Sequence, residues 1–411
     1  MSVATTLQQL ATDLQNAYTA VSNKGGTVPT NKNSNNLATA ISSIPPQTSV
    51  EEKDINFYDY NGARVYSYTK AEFALLTALP DMPTHSGLTS VGWNWTLAQA
   101  QTFLTNNDKL NIGATYSVTD GKTRIWFNLT NEWRTPYVGM YLNGEVDIDW
   151  GDGSAHSTLT GTSLSTLVET SHTYATGGDY LITIEVTSGS ASVTGSYYTS
   201  QLFYGGNSAL GTTAQAPYLY RVKEIWIGSD FTFSTNAFKY MTGLTGIVYP
   251  RVNGDLTTSV FNGCSSLVVI SNSNSGYMGI NCATDTKLAI MQGDSTSSIL
   301  GSGCFSGCKA SSLPMTENIA TIRNQAYMSC INLLKINIPA GVTEIQAQAF
   351  SGCFSLKEIH FRGTTPPTIA AATVFTNLPT GCTIYVPQGY LNTYTGTNNM
   401  PDPTVYTYVE E

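Results

Sequence analysis

A repeated pattern in the C-terminal half of this 411-residue chain constrains its fold more than any other feature. An aromatic residue recurs at steps of 23, 44, 22 and 23 residues, and an apolar run follows it. The aromatic positions are Phe238, Phe261, Phe305, Tyr327 and Phe350. A fixed period of about 22 residues predicts a solenoid, in which each coil buries its apolar residues against its neighbours. The double step predicts a further coil near residue 283 whose pattern has drifted, and VKEIWI from Val222 predicts a first coil without an aromatic residue.

Cysteine residues follow the same repeat. Four of the seven cysteines lie three residues after a repeat aromatic, and an odd total argues against a complete set of disulfides. We interpret these four as buried thiols that act as small hydrophobic side chains. A zinc site is the alternative, although the chain has no CxxC motif and only His360 lies near the ladder. The predicted repeat core is Phe238, Phe261, Cys264, Phe305, Cys308, Tyr327, Cys330, Phe350 and Cys353.

The composition predicts a neutral, polar surface of the kind found on extracellular or virion proteins. Charged residues make up 11% of the chain, less than half of the ~25% that is usual for soluble proteins. The net charge is −9 and there is no basic run, so we expect no nucleic-acid partner. We also expect no membrane insertion, because no stretch approaches about 18 consecutive apolar residues. The N-terminus has no Lys or Arg before Lys24, so we expect no secretory signal and assembly in a cytoplasm.

Apolar residues at heptad spacing predict a helix over residues 3–22. The seam consists of Val3, Leu7, Leu10, Leu14, Ala17 and Val21. A narrow seam of this kind is typical of helices that associate with each other, and it predicts a homotrimer. The alternative is an amphipathic helix that lies on its own domain. A second short helix is predicted over residues 33–43, before a linker that begins at two prolines.

The chain as a whole is predicted to be multidomain and mainly β. We assign residues 1–50 to a helical oligomerisation and attachment segment, 51–119 to a small α+β domain, 120–200 to an all-β domain, 201–221 to a connection, and 222–411 to the solenoid with a C-terminal cap. In the α+β domain, the pair Asn61-Gly62 predicts a β-hairpin. Thr69 with Glu72 forms the pattern of a helix capping box, and Thr96 predicts a second helix start.

Three carboxylates cluster in the sequence DIDWGDGS, at Asp147, Asp149 and Asp152. A calcium loop needs oxygen ligands at alternate positions, but Gly151 occupies one of these positions. We therefore predict a tight turn in which the aspartates accept backbone N–H bonds. A cation site remains the weaker alternative, and no other metal or cofactor is expected.

No catalytic motif is present: GxSxG, GxGxxG, the P-loop and HExxH are all missing. We therefore predict no catalytic residues. His156 and His172 flank the all-β segment and are expected to be structural, and Trp93 and Trp95 are expected in a core, with a sugar-stacking platform as the alternative. A polysaccharide-degrading protein would need two converging acids. The acids available in the solenoid are Asp255, Asp285, Asp294, Glu317, Glu344 and Glu358.

Two segments resemble known modules. DWGDGS at residues 149–154 and SHTYATGGDYLITIEV at residues 171–186 resemble the polycystic-kidney-disease-type immunoglobulin-like module. This resemblance implies a β-sandwich that acts as a spacer or binding module over residues 120–200. AFSGCFSLKEIHF, from Ala349 to Phe361, is similar to the BspA-type leucine-rich repeats of bacterial surface proteins, which implies adhesion.

The first 45 residues, and more loosely the 53–118 block, are similar to segments of phage and prophage fibre proteins. Together these resemblances imply a structural bacteriophage fibre or spike protein in the virion. It would be anchored to other virion proteins through its N-terminus and would bind a bacterial surface glycan or protein through its solenoid. A bacterial cell-surface adhesin is the alternative function, and a polysaccharide-degrading spike is the third.

Overall fold

A computed structural model of the chain describes residues 28–42, 50–194, 203–204, 220–248, 258–268, 280–288 and 299–411 without 312, 314 and 316, together with single positions between 11 and 21. Most of the regular structure is β-strand, and the helices are short. The described helices are α1 (Ser34–Ser42), α2 (Lys70–Ala74), α3 (Leu97–Phe103) and α4 (Leu391–Thr395), with a 3-10 helix over Ala372–Phe375. The predicted mainly β fold with a C-terminal solenoid is confirmed.

The N-terminal segment places α1 where the second helix was predicted. Tyr18 and Val21 are buried against Ala40 of α1, and the Tyr18 hydroxyl donates to the carbonyl of Asn33 at 2.7 Å. Of the heptad seam, Val3, Leu7 and Leu10 lie outside the described residues. The part of the seam near Val21 is thus covered by the same chain, while association through the rest stays a prediction.

The small α+β region forms a four-stranded sheet in the order β2-β1-β4-β3. Its strands are β1 (Ile55–Tyr58), β2 (Arg64–Tyr68), β3 (Leu88–Trp93) and β4 (Leu110–Val118). The predicted hairpin joins β1 to β2, and Gly62 takes the left-handed conformation that the turn requires, with φ of 83°. Capping boxes begin both helices, with Thr69 and Thr96 as the N-cap residues.

An eight-stranded sheet follows, in the order β12-β10-β5-β8-β6-β7, with β11 paired to β8 and β9 paired to β6. Its strands are β5 (Thr123–Leu129), β6 (Tyr137–Asp149), β7 (Ser157–Ser171), β8 (Gly178–Val193), β9 (Phe203–Tyr204), β10 (Val222–Trp226), β11 (Phe231–Phe233) and β12 (Gly246–Val248). The predicted two-sheet sandwich is not confirmed, because these strands bond into one sheet. Strand β10 pairs antiparallel with β5 and parallel with β12, so the sheet continues into the first coils.

The coils of the solenoid stack through two parallel sheets. One sheet contains β13 (Ile299–Leu300), β14 (Thr321–Ile322), β16 (Glu344–Ile345) and β18 (Thr368–Ile369). The other contains β15 (Lys335–Ile338), β17 (Glu358–Phe361), β19 (Thr383–Val386) and β20 (Thr407–Glu410). Two strands per coil leave room for a tight turn that carries the repeat aromatic.

Backbone hydrogen bonds join these aromatic turns from coil to coil. The N–H of Phe261 donates to the carbonyl of Cys282 at 2.9 Å, and the N–H of Ala283 donates to the carbonyl of Cys304 at 2.9 Å. Ala283 therefore occupies the aromatic position of the drifted coil, which keeps its place in the stack without the ring. Where rings are present they stack, as Tyr327 does on Phe350 with centroids 5.4 Å apart.

The cysteines lie inside the stack. All seven are buried, and none forms a disulfide. The thiol of Cys330 donates to the carbonyl of Phe305 at 3.1 Å, and that of Cys353 to the carbonyl of Tyr327 at 3.2 Å. No group of three or more metal-ligating side chains comes together within the described residues. The predicted repeat core is buried throughout, at Phe238, Phe261, Cys264, Phe305, Cys308, Tyr327, Cys330, Phe350 and Cys353.

In the parts of the chain that the structure describes, no helix combines the length and the apolar content needed to cross a bilayer.

Candidate binding surface

Strands β15, β17 and β19 direct one side chain of every two away from the core, and we call this surface the outer face. Successive side chains of a strand point to opposite sides of the sheet. Ile336, Ile359 and Ile384 are register partners that fill the core. Their neighbours lie on the opposite side, in two rows across the coils: Lys335, Glu358 and Thr383 in one, and Asn337, His360 and Tyr385 in the other.

Lys335 connects the outer face to the α+β region. Its Nζ lies 2.5 Å from Oδ2 of Asp108 and 3.4 Å from Oε2 of Glu358. The hydrogen bond from Lys335 holds the pKa of Asp108 below its ordinary value. Burial acts to lower the pKa of Lys335, but the contacts with the two carboxylates together raise it. All three groups are therefore charged at neutral pH, and the two carboxylates share the one ammonium, which lies nearer to Asp108.

His360 contacts a carboxylate with each of its ring nitrogens. Nδ1 lies 2.7 Å from Oε1 of Glu411, and Nε2 lies 3.1 Å from Oε2 of Glu358. The imidazole stacks on the ring of Tyr385 with centroids 4.1 Å apart and planes within 2°. A neutral imidazole carries one N–H, so donation to both carboxylates requires the imidazolium form. Burial acts to raise the pKa of Glu358, but its contacts with His360 and Lys335 together lower it.

A shallow groove of about 540 Å³ crosses the outer face beside this network, and we call it the Phe354 groove. Its lining includes Phe354, Ser355, Lys357, Glu358, Thr383 and Tyr385. Phe354 is 61% exposed although it is a large apolar side chain. Leu334, which lines the same groove, is 41% exposed, and an exposed apolar patch with polar groups around it marks an interaction site. The groove thus combines an accessible aromatic ring with polar groups from adjacent coils.

The repeat pattern does not reveal this groove, although the sequence carries a signal for it. Phe354 directly follows a ladder cysteine, in the position that Ser265, Lys309 and Ile331 occupy in other coils. A single aromatic residue at an otherwise variable, outward position differs from the buried repeat aromatics. Glu411 was not predicted either, because it lies 51 positions after His360 and follows β20, the second strand along the sheet from β17.

The predicted tight turn at the aspartate cluster is present. Asp149 accepts a hydrogen bond from the N–H of Gly151 at 2.9 Å, and Asp152 accepts one from the N–H of Ser154 at 3.0 Å. Gly151 and Gly153 have φ of 74° and 76°, which a glycine adopts without strain. Asp147 lies 2.6 Å from Nδ1 of His156. Each carboxylate of the cluster is therefore engaged by the protein itself.

The two histidines beside this turn bind its carboxylates. Nε2 of His172 lies 2.7 Å from Oδ2 of Asp152, and its ring stacks on the buried Trp150. The hydrogen bond with Asp147 raises the pKa of His156. Burial acts to raise the pKa of Asp152, but its bonds with Ser154 and His172 together lower it. These contacts fit the structural role expected for both histidines.

The two tryptophans of the α+β region pack in its interior. Nε1 of Trp93 donates to the carbonyl of Pro80 at 2.7 Å, and its ring contacts Phe57. Trp95 is buried and lies 5.1 Å from the ring of Phe103. Trp93 is partly buried and packs against the same cluster as Trp95, which fits the core interpretation.

The acids proposed for polysaccharide degradation do not converge within the described residues. Asp255 and Asp294 lie outside them, while Glu344 accepts a hydrogen bond from Gln346 at 3.3 Å. Burial raises the pKa of Glu317, which lines a separate cleft beside Trp95 without a second described acid. Asp285 lies in the turn of the Ala283 coil, with φ of 57°. Glu358 alone reaches the outer face, where Glu411 shares His360 with it.

Comparison with known proteins bears on the repeats. Residues 270–378 match, in six copies, the family described as the BspA type leucine rich repeat region. That segment is therefore a leucine-rich-repeat region of the predicted type. No curated protein matches the chain. The resemblances to a polycystic-kidney-disease-type module and to phage fibres stay predictions, because the family match covers the repeats alone.

Two solved structures share part of the chain. A leucine rich cell surface protein from Faecalibacterium prausnitzii is 20% identical over 44% of this chain and 52% of its own, with a TM-score of 0.27. A leucine-rich repeat protein from Bacteroides ovatus is 19% identical over 46% of this chain and 66% of its own, with a TM-score of 0.25. The chain thus spans about half of the first structure's length, and at these scores the likeness carries no argument about function.

Proposed function

We propose that this chain is a surface-binding protein of the adhesin type, in which the outer face of the solenoid holds a partner on a cell surface. One observation carries the proposal: an aromatic side chain that is 61% exposed stands at a groove on a rigid coil stack. A stack whose backbone bonds run from coil to coil can hold such groups in fixed positions. The match of residues 270–378 to BspA-type repeats adds support, since that resemblance implies adhesion.

We further propose that binding occurs without turnover. A glycosidase needs one acid with a raised pKa that protonates the leaving group. At the outer face, the pKa of Glu358 is lowered, and Glu411 is held by Arg362 at 2.6 Å as well as by His360. Both carboxylates accept hydrogen bonds from neighbouring side chains. This arrangement favours a role in holding those side chains in place over a role in proton transfer.

A bacteriophage fibre is a more specific form of this proposal. It rests on the sequence similarity of the first 45 residues to fibre proteins and on the heptad seam, much of which lies outside the described residues. In that form the protein is a homotrimer in a virion, assembled in the host cytoplasm. Immunogold labelling of particles with an antibody against the solenoid distinguishes a fibre from a cell-surface adhesin.

The test of the general proposal is a cell-binding assay with the fluorescently labelled full chain. Phe354→Ser should reduce the apparent affinity for a bacterial strain that binds the wild type by about tenfold, because buried aromatic residues dominate binding interfaces. Leu75→Ser is the matched control, since Leu75 is 83% exposed at the end of α2, away from the groove. The proposal is wrong if the two variants behave alike, or if no strain in a broad bacterial panel binds the wild type.

A further inference from the structure

The geometry points to an acidic saccharide, a glycan with carboxylate-bearing sugars, as the ligand of the Phe354 groove. This inference rests on the proposed binding function and names its ligand class. The groove volume of about 540 Å³ falls within the ~300–1,000 Å³ that is usual for small-molecule sites. The groove is shallow, so it suits a segment of a longer saccharide chain that extends beyond the groove in both directions.

Two aromatic rings give the groove a surface for the apolar face of a sugar ring. Phe354 is held at its backbone, because the preceding Cys353 is buried and bonded to the coil before it. One face of the Tyr385 ring stacks on the parallel imidazole ring of His360, with centroids 4.1 Å apart. Rings that are fixed before binding lose little conformational entropy when a ligand covers them.

Polar groups of the groove are left without protein partners. Within the described residues, the Nζ of Lys357, the hydroxyl of Tyr385, and the hydroxyls of Ser355 and Thr383 make no hydrogen bond to the protein. This differs from the neighbouring network, in which Lys335, His360 and Arg362 are all paired with carboxylates. Hydroxyl and ammonium groups without partners are suited to the many hydroxyls of a saccharide.

The sign of the charge decides between neutral and acidic sugars. The one carboxylate of the groove, Glu358, is already engaged by the protein, with Nζ of Lys335 at 3.4 Å and Nε2 of His360 at 3.1 Å. Lys357 is exposed and is the unpaired charge among the groove's lining residues. A carboxylate beside the stacked sugar would gain a charge-assisted hydrogen bond from Lys357, which a neutral sugar would not.

The experiment is calorimetric titration of the full chain with an α-1,4-linked galacturonic acid trisaccharide and with its neutral galactose counterpart. We expect the wild type to prefer the acidic trisaccharide. Lys357→Met should weaken binding of the acidic trisaccharide by about tenfold and leave the neutral one unchanged, because one charge-assisted bond is lost. Phe354→Ser should weaken both. Lys309→Met is the matched control, since Lys309 is an exposed lysine of an earlier coil, outside the groove.

Three results would overturn the inference. They are equal affinity for both trisaccharides, an acidic preference that survives Lys357→Met, and binding of poly-glutamate that depends on Lys357 but not on Phe354, which would indicate an acidic peptide. Failure of the proposed function is distinguishable from these results. If the chain binds cells but neither trisaccharide, the ligand class is wrong and the adhesive function stands. If it binds the acidic trisaccharide but no cells, the ligand class stands and the adhesive function is wrong.

Discussion

At the scale of single residues, the thiols of the solenoid act as hydrogen-bond donors inside the buried core. Burial raises the pKa of Cys353 to about 12 and that of Cys330 well above its usual range, so both stay protonated at neutral pH. A protonated thiol can donate to the carbonyl of the preceding coil, as both do. The cysteine position therefore links neighbouring coils as well as filling space.

We predict that Cys330→Ala lowers the free energy of unfolding by about 1–3 kcal/mol, because it removes buried volume and one of the two hydrogen bonds that the carbonyl of Phe305 accepts, the other coming from the N–H of Cys308. The control is Cys382→Ala, which removes an equal volume. The thiol of Cys382 makes its hydrogen bond to the carbonyl of the adjacent Thr383, at 4.0 Å, and not to another coil. Urea unfolding measures both. Equal losses would show that volume alone matters and that the contact between coils adds nothing.

At the scale of the element, the aromatic turn depends on left-handed residues two positions after each aromatic. Gly352 has φ of 75°, and Tyr240 and Ser329 take φ of 62° and 58° at the same position of other coils. The turn aims alternate N–H groups at the next coil, as in the bond from Gly352 to Thr376 at 2.9 Å. Its geometry is therefore kept even where the residue is not glycine.

Gly352→Ala should accordingly destabilise the protein by about 1–2 kcal/mol, the cost of placing a Cβ in the left-handed region. A clash adds little, because the new Cβ would lie 3.4 Å from the nearest atom, Oγ of Ser329. For comparison, Gly381→Ala should be nearly neutral, since its added Cβ meets no atom within 4 Å. Thermal unfolding of both variants checks this, and an unchanged Tm for Gly352→Ala would contradict the prediction.

The sequence predicts these coils better than it predicts their outer face. The period located the repeat aromatics, and local signals such as the pair of Thr69 and Glu72 located helix starts, because both arise from short-range physics. Ala283 shows the limit, since its coil keeps the backbone bonds of the stack although alanine replaces the repeat aromatic. The network of Glu358, His360 and Glu411 could not be predicted from the sequence, because these residues meet only when the coils stack.

At the scale of the whole molecule, two polar contacts are among those that join the α+β region to the later coils of the solenoid. Asp108 binds Lys335 at 2.5 Å, and the carbonyl of Asn106 accepts a hydrogen bond from Arg362 at 2.9 Å. These pairs join residues that are 227 and 256 positions apart in the chain. They fix one region against two successive coils of the other.

The first of these contacts should make stability depend on pH. Because its pKa is lowered in the folded state, Asp108 contributes stability that is fully present above its ordinary pKa of about 3.9. That contribution is lost as the pH falls through the lowered value. Asp108→Asn should therefore be less stable than the wild type at pH 6, and the difference should shrink towards pH 2.

Urea unfolding between pH 2 and 6 measures this difference. The matched control is Asp81→Asn, because Asp81 is an exposed aspartate that makes no side-chain contact in the described part of the chain. A constant difference between Asp108→Asn and the wild type across the range would show that the ion pair does not contribute.

The heptad seam makes a further prediction at this scale. Leu10→Asp should convert a trimer into monomers, because each buried leucine contributes about 1.5–3 kcal/mol and a charge cannot replace it in a seam. Multi-angle light scattering of the full chain gives the mass of both proteins. A wild type that is already monomeric would instead favour a helix lying on its own domain, as the burial of Val21 against Ala40 does locally.

The contacts of Asp108 with Lys335 and of Asn106 with Arg362 limit how this chain can evolve by duplication of coils. One extra coil between Ala283 and β15 would carry Lys335 and Arg362 along the stack by about 4.8 Å, the spacing of adjacent strands. Asp108 and Asn106 would then face the wrong coils, and both contacts would break. A coil added beyond β20, the edge strand of its sheet, would disturb neither. New coils are therefore expected at the C-terminal end, where they would extend the outer face without changing its contacts with the α+β region.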